Sequence, residues 1–474
     1  MSLSPSLCLA QVFSYPHIPG AEVLSLQASQ VSNVSQYIPE WYYYNHGDVT
    51  AQNLNFCNVT VTYKDTAKND TINRLQGIGG NGYTAGLISL TAYGMIAAAA
   101  EGYVAISTDG GHTSDDPADW RLLENGMPDY DTSYSFAIAS LGDAANVGKS
   151  LAESAYGSKP KYSYWTGCSQ GGRQGLALAQ QYPEAYDGLL LLLRPSIGRN
   201  FRWEDQRCDS ADGVVDGIIS DPDSCVFDPF ALVGAQINCS NTGSQLRIST
   251  ATVNIVNATW MGARDSQGNF LWYGFYPGTQ LTARNTAANT RCANGTCTAV
   301  SSQLYNRWAQ VFVENNLNFT LTNITHQTYD HLFRKSIQQW NSVFGTNNPD
   351  LSKFRDAGGK RLTYHGLMDE AIPSNGTRSY YEAVTAGDSN VHDYYKLFEA
   401  PMMGHCFGTK GGYPSTMFDS PVAWVESDNA PTSLPVKYSP EDGKTYDRIL
   451  CPYPQRAKYK GTGDVTFVDA FYCA

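Results

Sequence analysis

The chain has 474 residues, with 42 % hydrophobic and 12 % aromatic side chains against only 16 % charged ones, a balance that excludes a disordered chain, which is poor in hydrophobic and aromatic residues. Its formal net charge of -12 argues against nucleic acid as a partner, because a phosphate backbone attracts basic faces. No run approaches the roughly 18 apolar residues of a membrane helix, so a membrane partner is not expected either.

Met1 to Phe13 holds no Lys or Arg and carries Pro5 inside its apolar stretch, so it does not read as a signal peptide. The sequence reads as a mature form, or as one that lacks its first exon. From about residue 50, short apolar runs alternate with Gly-rich turns and helical stretches: Ile72 to Gln76, the turn Gly77-Ile78-Gly79-Gly80-Asn81-Gly82, then Gly102 to Ser107. Further strands are expected at Tyr162 to Thr166, Gly188 to Leu193, Lys360 to Tyr364 and Asp393 to Glu399, with a helix from Arg173 to Gln181 that stops at Tyr182-Pro183. This rhythm predicts an α/β fold with a mostly parallel sheet covered by helices. Between about 196 and 350 it gives way to turn-rich, Cys-rich sequence. The expected division is therefore a first core segment over 1–195, an inserted lid over 196–350 and a second core segment over 351–474.

Eleven cysteines and nine Asn-x-Ser/Thr triplets, at Asn33, Asn58, Asn69, Asn238, Asn257, Asn294, Asn318, Asn323 and Asn375, point to an oxidising, extracellular setting and a secreted glycoprotein. Cys208 with Cys225, and Cys451 with Cys473, stand at loop-closing spacings. The partners of Cys239, Cys292 and Cys297 stay ambiguous.

Gly167-Cys168-Ser169-Gln170-Gly171 fits G-x-S-x-G between a predicted strand and a predicted helix. The turn must be tight for the Ser hydroxyl to stand above the sheet, and flanking glycines permit it. Ser169 is then the candidate nucleophile, and the backbone N–H of Gln170 points at the developing oxyanion. Gly79 and Gly80, in the Gly-rich turn, are placed to give the second oxyanion donor. In such a fold the chain order is Ser, acid, His. His405, in Met403-Gly404-His405-Cys406, ends the βα region and is the candidate base. Asp369, just past the strand at Lys360, is the candidate acid that fixes the His tautomer. His365 precedes that acid and His392 precedes a strand, so neither is preferred as base. Cys168 and Cys406 flank the Ser and the His directly. If those two side chains are in contact, their neighbours lie one Cα step of about 3.8 Å away, within reach of a disulfide. The alternative is two separate buried thiols.

With these residues the sequence resembles the tannase and feruloyl esterase family, through Cys168-Ser169, Asp369 and His405-Cys406, the run Gly171-Gly172-Arg173-Gln174-Gly175, Asp350 to Arg355, and His365-Gly366. The resemblance implies an α/β-hydrolase core with an inserted lid, a Ser-His-Asp triad, a bridge between the two triad-adjacent cysteines, and hydrolysis of phenolic-acid esters, whether small molecules or polysaccharide-linked. Feruloyl esters are the first expectation and galloyl esters the second. A non-catalytic, sugar-binding protein on the same scaffold and a serine peptidase are the rivals.

Asp209, Asp212 and Asp216 crowd one Gly-punctuated loop, a set of hard oxygen ligands that suits Ca2+. A solvated acidic turn reads equally well from composition. The resemblance implies a structural Ca2+ held by these three side chains and the carbonyls of Val214 and Ile218. One departure is Arg194-Pro195-Ser196, where the family shows small residues around a Pro. A cation there would narrow the pocket or bind an acidic substrate. The oligomeric state and the choice among aromatic esters are not legible.

Overall fold

A computed structural model describes residues 8–43, 45–65, 72–73, 77–192, 208–239, 244–282, 286–293, 296–406, 411–439 and 443–474. Arg194 and the sequon residues Asn69 and Asn294 lie outside the described residues.

The chain opens with a long antiparallel hairpin, β1 (Ala21–Ile38) and β2 (Val49–Asp65). Leu26, Val61 and Tyr63 on its inner face pack on Val147 and Leu151 of helix α2 (Ser140–Tyr156), which follows α1 (Ser89–Ala100). Of the expected strand from Ile72 to Gln76, the described residues Ile72–Asn73 form a strand that pairs with β2, and 74–76 lie outside the described residues. Ile78 bridges Thr166 and donates its N–H to Ile106 O at 2.8 Å, which brings the Gly-rich turn to the edge of the central sheet.

That sheet consists of β3 (Tyr164–Cys168), β4 (Gly188–Leu192), β5 (Lys360–Gly366) and β6 (Tyr395–Ala400), in the order β6-β5-β4-β3 with every neighbour parallel. Leu189, Leu190, Leu191 and Leu192 of β4 are at most 2 % exposed, as a central strand covered on both faces requires. Each such burial contributes roughly 1.5–3 kcal/mol. Helix α3 (Gln170–Gln181) follows β3 and ends where Pro183 cannot continue it.

Between β4 and β5 the described residues add no strand to this sheet. They form two hairpins of four-residue strands, Gln236–Cys239 with Ser244–Arg247 and Thr290–Ala293 with Thr296–Ala299, and the helices α4 (Thr250–Met261) and α5 (His326–Phe344). The register sets Cys292 opposite Cys297. Helix α6 (Ser374–Gly387) then follows β5, and α7 (Asp419–Ser427) follows β6, so the βα rhythm resumes as expected. Disulfides join Cys8 to Cys57, Cys168 to Cys406, Cys208 to Cys225 and Cys451 to Cys473.

Candidate active site

Ser169 sits between β3 and α3 with φ 59° and ψ -116°, a strained backbone for a residue with a Cβ and the conformation that lifts its hydroxyl out of the sheet. Two glycines make the turn sterically possible. A Cβ on Gly167 would come within 2.5 Å of the backbone of Gly171, and one on Gly79 within 2.4 Å of the Gly171 Cα. The Ser169 N–H donates to Leu192 O at 2.7 Å, anchoring the turn to β4.

The acid and the base arrive together because β5 and β6 keep pairing past their ends. Leu367 N–H bonds Ala400 O at 2.9 Å and Met368 N–H bonds Met403 O at 2.9 Å. Gly366 has no side chain for a reason: a Cβ there would stand 2.2 Å from Gly404 O. The result places His405 Nε2 3.1 Å from Ser169 Oγ and His405 Nδ1 2.7 Å from Asp369 Oδ2. Asp369 is 1 % exposed and His405 7 %. The other carboxylate oxygen, Oδ1, accepts the N–H groups of Ala371 and Ile372 at 2.8 and 2.7 Å. Tyr364, fully buried on β5, donates its hydroxyl to Cys406 O at 2.5 Å, and the Cys168–Cys406 bridge, with Cα atoms 6.2 Å apart, ties the residue before Ser169 to the residue after His405.

Of the expected oxyanion donors, Gln170 holds the first position of α3, where an N–H has no intrahelical acceptor. Gly79 and Gly80 are a correction. The Gly79 N–H donates to Thr166 O at 3.1 Å and that of Gly80 to Gln174 Oε1 at 3.0 Å, because the turn is stitched to β3 and α3. Asn81, the next residue, lines the same cleft as Ser169 together with Tyr42, Tyr43 and Thr91. Sequence reasoning also missed His365, whose Nε2 lies 3.0 Å from Asp369 Oδ2. The four-residue spacing of His365 and Asp369 across the end of a strand was the available signal. From the segment between β4 and β5, Tyr305 donates its hydroxyl to Ala371 O at 2.6 Å. Burial pushes that phenol up to about 12, with the charges of Asp369 and Glu370 adding to it.

The acidic loop, closed by the Cys208–Cys225 bridge, packs through Cys208, Ile218 and Ile219 on Leu367, Met368 and Met402. Asp209 accepts the N–H groups of Asp216 and Gly217, Asp212 that of Val214, and Asp216 that of Ile218. Asp216 also meets Tyr438 Oη at 2.8 Å and the Arg448 guanidinium. Burial raises the carboxyls of Asp209 and Asp212 above the usual range, and the charge of Asp216 adds to both. Among the described residues no three acidic, His or Cys side chains converge as a ready metal cage. The donor set nevertheless suits a hard divalent cation, since the carboxylates of Asp209, Asp212 and Asp216 share one short loop and burial and mutual repulsion raise the first two.

Residues 59–197 and 204–474 match the profile described as "Tannase and feruloyl esterase". The chain is similar to a "Probable feruloyl esterase" of Arthroderma benhamiae, with 33 % identity covering 97 % of this chain and 92 % of that one. It is also similar to a "Tannase" of Aspergillus oryzae, with 25 % identity over 87 % and 85 % of the two chains. In fold it is similar to the solved tannin acyl hydrolase of Aspergillus niger, with a TM-score of 0.83, 24 % identity, and 100 % of this chain and 96 % of that one covered.

Proposed function

This chain belongs to the tannase and feruloyl esterase family of carboxylic ester hydrolases, and from that premise we propose that it cleaves esters of phenolic acids through an acyl-enzyme formed on Ser169. One observation carries the mechanism: Ser169 Oγ, His405 and Asp369 form an unbroken hydrogen-bonded line of 3.1 and 2.7 Å. Because the Asp369 carboxylate accepts from Nδ1, Nδ1 carries the proton and Nε2 is left as the acceptor for the Ser169 hydroxyl. Ser169 Oγ attacks the ester carbonyl as its proton passes to Nε2. The imidazolium then hands that proton to the departing alcohol. Water, deprotonated by the same nitrogen, releases the aromatic acid and restores Ser169. The Gln170 amide is the first oxyanion donor in this reading, and the Asn81 amide takes the place that Gly79 and Gly80 were expected to fill.

The feruloyl esterase relative favours feruloyl esters, and the tannase relative keeps galloyl esters as the second reading. A secreted glycoprotein is supported by four disulfides and by exposed sequon residues at Asn33, Asn58, Asn238, Asn318 and Asn323. No helix among the described residues is long and apolar enough to cross a membrane. The acidic loop is proposed as a structural Ca2+ site, held by Asp209, Asp212 and Asp216 with the carbonyls of Val214 and Ile218. There the ion would supply charge neutralisation remote from the chemistry.

The test is hydrolysis of methyl ferulate, methyl gallate, a short acyl ester and an amide analogue side by side. The aromatic esters should be turned over fastest, and Ser169→Ala should lower kcat by at least about 10⁴-fold. Undiminished turnover by that variant would remove Ser169 from the mechanism.

A further inference from the structure

We infer that His365 is a positioning residue of the triad, a second imidazole that fixes the Asp369 carboxylate in the orientation His405 requires. This rests on the esterase reading above. His365 is 1 % exposed and stands at the end of β5, four residues before Asp369. Its Nε2 lies 3.0 Å from Asp369 Oδ2 and 3.2 Å from Ile372 O. Both of those atoms accept only, so Nε2 must carry a proton. Its Nδ1 lies 2.8 Å from Thr377 Oγ1 on α6, and the neutral ring is complete when the Thr377 hydroxyl donates there.

Counting donors shows what this does. An ionised carboxylate offers about four lone-pair directions, and Asp369 receives four N–H groups: Ala371 and Ile372 on Oδ1, His405 and His365 on Oδ2. The two backbone donors hold Oδ1 alone. His365 gives Oδ2 a donor besides His405, so that both oxygens are held by groups outside the reacting line, and it shares the charge on Oδ2 that His405 would otherwise take alone. A further charge acts on His365 and is itself already paired. Glu399, opposite it across the β5–β6 pairing, is engaged by Arg378 through two hydrogen bonds of 2.7 and 2.8 Å. The charges of Asp369 and Glu370 also act on the Tyr305 phenol.

The experiment compares His365→Leu, His365→Gln and Thr377→Val with wild type on methyl ferulate, after circular dichroism establishes that each is folded. Loss of the donor should lower kcat about 10- to 100-fold, because misplacement of about 1 Å costs about that much, while KM stays near its wild-type value. The acid limb of kcat/KM should move to higher pH, since Oδ2 then gives more of its negative charge to the His405 imidazolium. His365→Gln, which keeps an N–H donor, should recover most of kcat. Thr377→Val, which touches no triad member, should shift the same limb the same way and lower kcat about 3- to 10-fold, the scale of one hydrogen bond. Unchanged kcat and an unmoved acid limb in His365→Leu would overturn the inference, and Thr377→Val decides by the same readings if the leucine variant does not fold. A wild-type enzyme inert on every ester would instead remove the reading on which this rests.

Discussion

The catalytic corner and the acidic loop both bury carboxylates, yet they handle the charge in opposite ways. At the corner, Asp369 is satisfied wholly by the chain, through two backbone amides and two imidazoles. In the loop, Asp209 and Asp212 are raised by burial, while Asp216 meets the guanidinium of Arg448, and Asp221 and Asp223 meet that of Arg456. A site that must keep one geometry through a reaction supplies its own donors. A loop that only has to hold its shape can leave that task to a bound ion.

The sharpest way to break the comparison is at the bridge. Replacing Cys168 and Cys406 together with Ala removes the tie between nucleophile and base and opens a loop of 238 residues. We expect stability to fall by about 2–5 kcal/mol, read from urea unfolding, and kcat to fall at least about 10-fold as His405 loses its register with Ser169. Cys208 and Cys225 replaced in the same way should leave kcat intact.

The smaller effect belongs to the loop. Chelation of Ca2+ should lower Tm by on the order of a few degrees, since an ion at 100 times its Kd contributes about 2.7 kcal/mol, while kcat measured well below Tm stays constant. The pH dependence gives the sign. Carboxyls whose folded pKa is raised bind protons more tightly in the folded state, so in the ion-free protein their contribution to stability is largest at low pH and is lost as pH rises through the folded value. The gap in Tm between calcium-loaded and chelated protein should therefore narrow as pH falls through the raised carboxyl range of Asp209 and Asp212. A Tm indifferent to chelation at every pH would mean that Arg448 and the backbone amides suffice.

How much of this was legible in the sequence follows from how local each signal is. The elbow at Ser169 is written in five consecutive residues, and Asp369 and His405 follow from chain order, so the three meet where expected. The run of leucines in β4 announced a buried parallel strand. The long N-terminal hairpin escaped notice because its register slips between Val23 and Ser25, Val31 and Val34, and Val34 and Gln36, which breaks the period-2 pattern that reveals a strand. Gly79 and Gly80 misled because a Gly-rich turn shows freedom of backbone, not where its N–H groups point. His365 was weighed as a rival base and as part of the family resemblance, and its four-residue spacing from Asp369 becomes a contact only where β5 ends between them.

The central claim is that Ser169 carries the acyl group, and the direct measurement is labelling with a serine-reactive phosphonate followed by peptide mapping by mass spectrometry. One equivalent on Ser169, with ester hydrolysis lost in proportion to labelling, is the predicted result. A label on another residue, or full hydrolysis by protein labelled at Ser169, would contradict the account.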